Sequence, residues 1–356
     1  MSTGTGEMTG AAIVPAPRAG SADLRRSPTA DLYLGFALDG APDAPPVERL
    51  SPTLLRMGDA LVVVRHPGAW PRRLPPHRRL VAILDDDVEA GVGDDALPLA
   101  YRAKLAAVDR PGWRRVAGRA DLALASTPAL AARICADHPR LPVAVAGPAW
   151  PADWPSAPRA RADAAAPLDR IALTMGLSHA RDAAPLMPVL ARLLDRRPAL
   201  HLTVSGALGG LRAVADHPRV TVVPERGWTE WRRAVRAARY DLALVPHLAG
   251  GAFNAARSGA KLGEHAAAGA AVMGSAGWAA GDAAAAAGRA LSVAGGAEAW
   301  EQAISRALDD PEGTRAIARR NAVHLARGAA AARLRALWEM VAGGAPGAAV
   351  AEAFPG

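Results

Sequence analysis

The feature that most constrains this chain is the spacing of its short apolar runs. "LYLGF" from Leu32, "LVVV" from Leu61, "LVAIL" from Leu80, "DLALAS" from Asp121 and "PVAVA" from Pro142 recur at intervals that leave room for helices between strands. Such spacing suits strands alternating with helices, a first βα series. The rhythm then stops: "GPAWPADWPSAPRARADAAAP", Gly147 to Pro167, has neither a helical nor a strand period and reads as a connection. It resumes with "RIALTMG" from Arg170, a helix through "APLMPVLARLLDRRP", then "LHLTVSG" from Leu200, "RVTVVP" from Arg219, "YDLALVP" from Tyr240 and "AAVMGS" from Ala270.

Two such series predict two consecutive α/β domains with Rossmann-like parallel sheets, and 356 residues is too long for one ordinary core. The expected layout is a tail over residues 1–29, a first domain over 30–150 and a linker over 151–168. The second domain spans 169–343, and a further tail covers 344–356. The second domain ends in helices, "EAWEQAISRALDD" and then a segment opened by Pro311.

Composition removes several function classes. The formal charge of +8 invites a nucleic-acid reading, but the arginines are scattered among Ala and Pro without a basic block interleaved with aromatics, so no nucleic-acid partner is expected. The charge leaves open attraction to anionic ligands or peripheral contact with an acidic membrane surface. Cys135 is the only cysteine, which excludes a disulfide framework or a cysteine metal cluster and points to a reducing, cytoplasmic compartment. The N-terminus lacks the pattern of a secretion signal, and no run of about 18 strongly apolar residues appears.

Against this drift toward Ala, Arg, Gly and Pro, one stretch keeps rare residue types. "GGAFNAARSGAKLGEHAAAGAAVMGS", Gly250 to Ser275, holds Phe253, Asn254 and Lys261, and the only other lysine is Lys104. It follows the strand "DLALVP", where ligands of parallel α/β sheets bind. A helix of about ten residues is expected, with Ser258 as its N-cap and Gly269 just past its end. At about 100° per residue Arg257, Lys261 and Glu264 share one stripe, with His265 beside it. A helix N-terminus with two cations suits a diphosphate, and a carboxylate one turn on suits vicinal ribose hydroxyls. The alternative is a solvated face with a Lys261–Glu264 ion pair.

Here the chain resembles a family. "EHAAAGAAVMGS", "RIALTMGLSHARDAAPLMPVLARLL", "LTVSG", "HPRVTVVP" and "YDLALVP" look like the donor-binding domain of two-Rossmann GT-B glycosyltransferases, especially the retaining family 4, the glycosyl transferases of group 1. "LDDDVEAGVGDDALPLAYRAK" and "ADLALASTPALAARI" are similar to first-domain segments of related transferases. The resemblance implies two domains facing across a cleft and a nucleotide-sugar donor as substrate. It also implies a glycan, lipid or small-molecule acceptor, with neither cofactor nor metal. By the same resemblance Glu264 would bind the donor ribose, Lys261 or Arg257 the phosphates, and Gly176 and Gly206 would let the backbone approach the nucleotide.

The departures are as specific. The family often carries two glutamates eight positions apart, and the earlier position here is Ala256, which passes the sugar contacts to Asn254 and loop amides or marks a divergent branch. "SHARD" replaces the usual Arg and Lys after the first glycine turn, leaving His179 and Arg181. The run Asp85, Asp86 and Asp87 could hold a metal as in GT-A enzymes, orient an acceptor hydroxyl with Asp86 or Asp87 as base, or cap a helix. His66 and His179 read as local hydrogen-bonders. Three function classes follow: a glycosyltransferase, a sugar-nucleotide epimerase on the same fold, and a relative that binds without transferring.

Overall fold

The computed structural model describes residues 28–38, 47–51, 53–65, 74–149, 166–205, 209–325 and 327–343. Gly206 and His66, most of the expected linker, residues 1–27 of the expected first tail and the whole of the second lie outside the described residues; Pro28 and Thr29, expected in the tail, open a helix.

The first domain begins with helix α1 (Pro28–Leu38) and a sheet of β1 (Val47–Arg49), β2 (Leu54–Met57), β3 (Ala60–Val64), β4 (Arg79–Leu84), β5 (Leu122–Ala125) and β6 (Val143–Val145), in that spatial order. β1 to β3 form an antiparallel meander and β3 to β6 run parallel. Between β4 and β5 lie α2 (Val88–Gly93), α3 (Leu99–Lys104) and α4 (Arg110–Ala117), the last two joined by a π-helical turn; α5 (Pro128–Asp137) precedes β6.

The second domain holds β7 (Arg170–Leu173), α6 (Ala180–Ala183), α7 (Met187–Arg196), β8 (His201–Ser205), β9 (Val220–Val223), α8 (Trp228–Ala237) and β10 (Leu242–Val245). Then come α9 (Ala252–Ala255), α10 (Ala260–Ala267), β11 (Ala271–Ser275), α11 (Ala279–Ala286), β12 (Leu291–Val293), α12 (Ala297–Asp309), α13 (Pro311–His324) and α14 (Arg327–Ala342). All six strands are parallel, in the order β12-β11-β10-β7-β8-β9. Strand order reverses between β7 and β10, which opens a crevice at their carboxyl ends.

The expected strands at Leu61, Leu80, Asp121, Pro142, Arg170, Leu200, Arg219, Tyr240 and Ala270 are present. "LYLGF" is not a strand but the middle of α1. Leu32, Tyr33 and Leu34 are all buried, and a short run buried on every side has no period to tell strand from helix. Pro28 at the first helical turn and Asp31 within it are the start signals that decide for helix. The meander strands β1 and β2 and the edge strand β12 were not foreseen.

The domains are not independent in their packing. Leu337, Trp338, Met340 and Val341 of α14, grouped by sequence with the second domain, join Tyr33, Leu55, Val62 and Val64 in one cluster, so the last helix returns to the first sheet. In the other direction Phe253, at the start of α9, is fully buried among first-domain residues including Leu105, Trp113 and Val88. Gly91 makes room for it: a Cβ there would lie 2.8 Å from Phe253 Cδ2 and 2.6 Å from Leu105 Cδ1. Asp94 accepts a hydrogen bond from Phe253 N at 3.2 Å, and Thr127 Oγ1 donates to the Ala256 carbonyl at 3.0 Å.

Removing this ring leaves a cavity at the joint of two domains, so Phe253→Ala should cost about 3–5 kcal/mol of unfolding free energy in urea titration. A loss below about 1 kcal/mol would show that Phe253 is not part of a shared core.

Candidate functional site

A cavity of about 520 Å³ lies beyond the carboxyl ends of β7, β8 and β9. Thr174, Met175 and Gly176 line one side, Ser205 and the turn Pro224–Glu225–Arg226 the floor and far side, and Trp228, Trp231, Lys261 and Glu264 the helical wall; Pro28 reaches it from the first domain. Gly176 has φ −79, which any residue adopts, and a Cβ there would meet nothing within 4 Å. Neither backbone conformation nor packing therefore calls for glycine at this position.

Glu264 is buried on the cavity wall. Its Oε2 accepts from Lys261 Nζ at 2.6 Å and from Trp231 Nε1 at 2.9 Å, and the ammonium lies 5.5 Å from the centroid of the Trp231 ring. Both bonds end on one oxygen, and Oε1 takes part in neither. α10 presents Lys261 and Glu264 together because they are three residues apart. Gly269, with φ 85, stands just past the helix as expected and lets the chain turn into β11.

The expected stripe does not extend back to Arg257. α10 begins at Ala260 with Gly259 as its N-cap, and Ser258 Oγ lies 3.5 Å from Ala260 N, so Ser258 is not the cap. Arg257 sits in the link between α9 and α10, where 100° spacing no longer applies. Its guanidinium turns to the domain seam, hydrogen-bonding the His179 ring at 2.9 Å from Nδ1 and lying 4.7 Å from the centroid of Phe253. Trp278 Nε1 fixes its carbonyl at 3.1 Å. Asn254 also faces inward: its Nδ2 donates to both oxygens of Asp182, at 2.9 and 3.1 Å, and to Gly250 O, while Asp182 accepts from Ala249 N. Neither residue lines the cavity, and their visible work is to shape residues 249–257.

The aspartate run divides by burial and partner. Asp87 caps α2, accepting from Ala90 N at 2.9 Å, and pairs with Arg133, as in the helix-cap reading of the run. Asp85 accepts from Thr29 Oγ1 at 2.6 Å; burial raises its pKa and Arg65 opposes that. Asp86 pairs with Arg65 at 2.9 Å and is the strongest attraction on the charge of Arg257 across the seam. Arg65 alone among described non-glycine residues has a left-handed φ, 60°.

His179, Asp182 and His247 offer ligand atoms within 4.8 Å of one another. A metal there would face the Arg257 guanidinium already bonded to His179, so the set does not fit a cation. Sequence reasoning passed over Trp228 and Trp231, although two indoles at i and i+3 just after "VVPERG" were a signal in a chain only 4% aromatic.

No protein-family model and no curated protein matches this sequence. Solved structures do. WaaG, a glycosyltransferase involved in lipopolysaccharide biosynthesis, is 18% identical, with 76% of this chain and 79% of that chain covered at a TM-score of 0.53. Anabaena HepE in complex with UDP-glucose is 17% identical, covering 74% of this chain and 71% of that one at 0.50. TarM of S. aureus, in complex with fondaparinux, α-GlcNAc-glycerol and UDP, is 10% identical at 0.54; 78% of this chain spans only 55% of it. The fold is GT-B. Its two facing α/β domains are those that the sequence resemblance implied, and the cavity belongs to the second of them.

Burial sets the protonation around the site. His247 and His265 are held at pKa values of about 3, by burial first, then by Arg257 for His247 and by Lys261 for His265. The unfolded chain binds these protons near pH 6.5 while the folded one refuses them, so their contribution to stability is complete above 6.5 and is lost as pH falls toward 3. Asp182, raised to about 6 mainly by burial, acts in the opposite sense and returns stability between about 6 and 4. His265 is fully buried, and neither ring nitrogen has a hydrogen-bond partner. His265→Leu should therefore reduce the loss of unfolding free energy between pH 8 and pH 5 by about 2 kcal/mol. Equal pH profiles for variant and wild type in urea titrations would remove His265 from this account.

Proposed function

We propose that this protein is a glycosyltransferase that binds a nucleoside diphosphate sugar in the β7–β9 cavity and transfers the sugar to a hydroxyl of a glycan or lipid acceptor presented by the first domain. The observation that carries the reading is Glu264, buried beside Lys261 and Trp231 in a cavity beyond the strand ends of a GT-B fold. HepE and TarM, which share the fold, hold UDP-glucose and UDP. Glu264 Oε1 accepts from ribose hydroxyls, Gly176 admits the diphosphate, and Lys261 neutralises charge as the nucleoside diphosphate departs. Arg257 acts from the seam, where its charge adds to the field on the leaving group without lining the cavity. The transfer is retaining and independent of divalent metal in this reading, and Lys261 supplies the charge a metal would otherwise bring. No described helix is long and apolar enough to cross a membrane. A lipid acceptor is then met by peripheral attraction of the basic chain to the acidic inner membrane face.

A second reading has one observation in its favour. Ala256, at the position of the family's first glutamate, is only 1% exposed and lies within the first domain's core, so no side chain there reaches a sugar. A protein that binds nucleotide sugars without transferring them would look the same. Release of free nucleotide above background from a panel of nucleotide sugars supports transfer; saturable binding with no release supports the second reading.

Three variants test the roles. A saturating nucleoside diphosphate at 100 times its Kd should add about 2.7 kcal/mol to wild-type stability, and Glu264→Gln should lose most of that gain. Lys261→Ala should fold with a loss of up to about 3 kcal/mol, because the Lys261–Glu264 pair is largely buried, with side chains 21% and 7% exposed, while Trp231 still holds Glu264. Its turnover should fall on the order of 100-fold, with Lys261→Arg restoring only part. Wild-type turnover in Lys261→Ala would overturn the leaving-group role, and EDTA-sensitive turnover would overturn the metal-independent one.

A further inference from the structure

The polar groups around the cavity divide into those already engaged and those free to meet a ligand. Both indoles of the helical wall have donated their only N–H: Trp228 Nε1 to Asp31 at 2.7 Å and Trp231 Nε1 to Glu264 at 2.9 Å. What they leave to a ligand is ring face, and every nucleobase can stack on a ring. The indoles therefore hold a base without telling one base from another. Two charged side chains on the same cavity are not engaged. Glu225 and Arg226, in the link between β9 and α8, are exposed, and neither has a hydrogen-bond or ion-pair partner among the described residues. Their place suits the far end of a nucleotide: β9 is the outermost strand, two strands from β7 and so about 10 Å across the sheet from it. With the diphosphate over the end of β7 and the ribose at Glu264, the base reaches toward β9.

We propose that the donor is a guanosine diphosphate sugar, its base read by Glu225 and Arg226. The inference rests on the nucleotide reading of the cavity. Guanine sets two donors, N1–H and the 2-amino group, beside two acceptors, O6 and N7. A carboxylate can accept from both donors, and a guanidinium fork donates to both acceptors, the pairing that suits guanine best. The two charges are neighbours in the chain as the two edges are neighbours on the base. Uracil fits the same pair poorly, because its single N–H lies between two carbonyls and Glu225 would face oxygen lone pairs. Adenine offers an amino donor with a ring-nitrogen acceptor beside it, so one carboxylate oxygen would again meet a lone pair. The stacking rings thus bind, and the link before α8 selects.

Calorimetric titration of the full chain with GDP, IDP, UDP and ADP tests the assignment. IDP keeps O6, N7 and N1–H and lacks only the 2-amino group, so it isolates one of the two bonds to Glu225. Wild type should bind GDP about tenfold more tightly than IDP, and IDP more tightly than UDP or ADP. Glu225→Ala should bring GDP and IDP to the same Kd. Arg226→Ala should weaken both about tenfold and keep the ratio between them, since both bases carry O6 and N7. Both side chains are exposed, so both variants should unfold at the wild-type urea midpoint. If Glu225 acts only as a charge near the anionic diphosphate, its removal would shift all four Kd values together and leave the GDP-to-IDP ratio unchanged, which would overturn the assignment. UDP or ADP binding to wild type as tightly as GDP would also overturn it, while leaving the nucleotide reading in place. Failure of all four to bind would overturn that reading and this inference with it.

Discussion

The interaction on which the rest depends is the insertion of Phe253 into the core of the other domain. A fully buried ring cannot leave without opening a cavity, so the segment that carries it is fixed at both ends: Asp94 holds the Phe253 amide and Thr127 the Ala256 carbonyl. That anchoring ends α9 after one turn and forces a new helix to start at Ala260. The break is what separates Arg257 from Lys261. Arg257 is left against the Phe253 face at the seam, while α10 turns Lys261 and Glu264 to the cavity. One hydrophobic contact thus sorts the cations between two environments.

The seam is electrostatically unusual for a surface between domains. His179, His247, Asp182 and Arg257 are all buried, and burial drives the histidines neutral, with the guanidinium as the next cause. Neutral imidazoles can accept hydrogen bonds from Arg257, and Asp182 and Asp86 offset its charge from either domain. The arginine stays ionised among groups that do not compete with it for charge. This is the kind of arrangement that keeps a field in place at a site excluded from water.

Much of the fold was legible because strands of a helix-covered sheet are written as short aliphatic runs, and nine such runs became strands, the half-exposed β6 and β9 among them. What was not legible had no local signature. "LYLGF" is equally apolar as strand or helix, and only its packing under α14, some three hundred residues later, gives it a surface to cover on every side. Of the candidate site, Lys261, Glu264 and Gly176 line the cavity, since i, i+3 spacing within one helix survives folding. Arg257, Asn254 and Asp87 do not. Arg257 was projected along a helix that tertiary contact had cut, and Asn254 and Asp87 met backbone and side-chain partners that the sequence could not announce. Trp228 and Trp231 show the converse: their spacing was visible, but it carried no chemistry until Glu264 was seen beneath them.

The return of α14 to the first sheet has a consequence for synthesis. Tyr33, Val62 and Val64 leave the ribosome well before the residues that cover them, Leu337, Trp338 and Val341, are made. Domains ordinarily fold in the order of their synthesis. Here the face of the first sheet that α14 covers stays open until the second domain has been made.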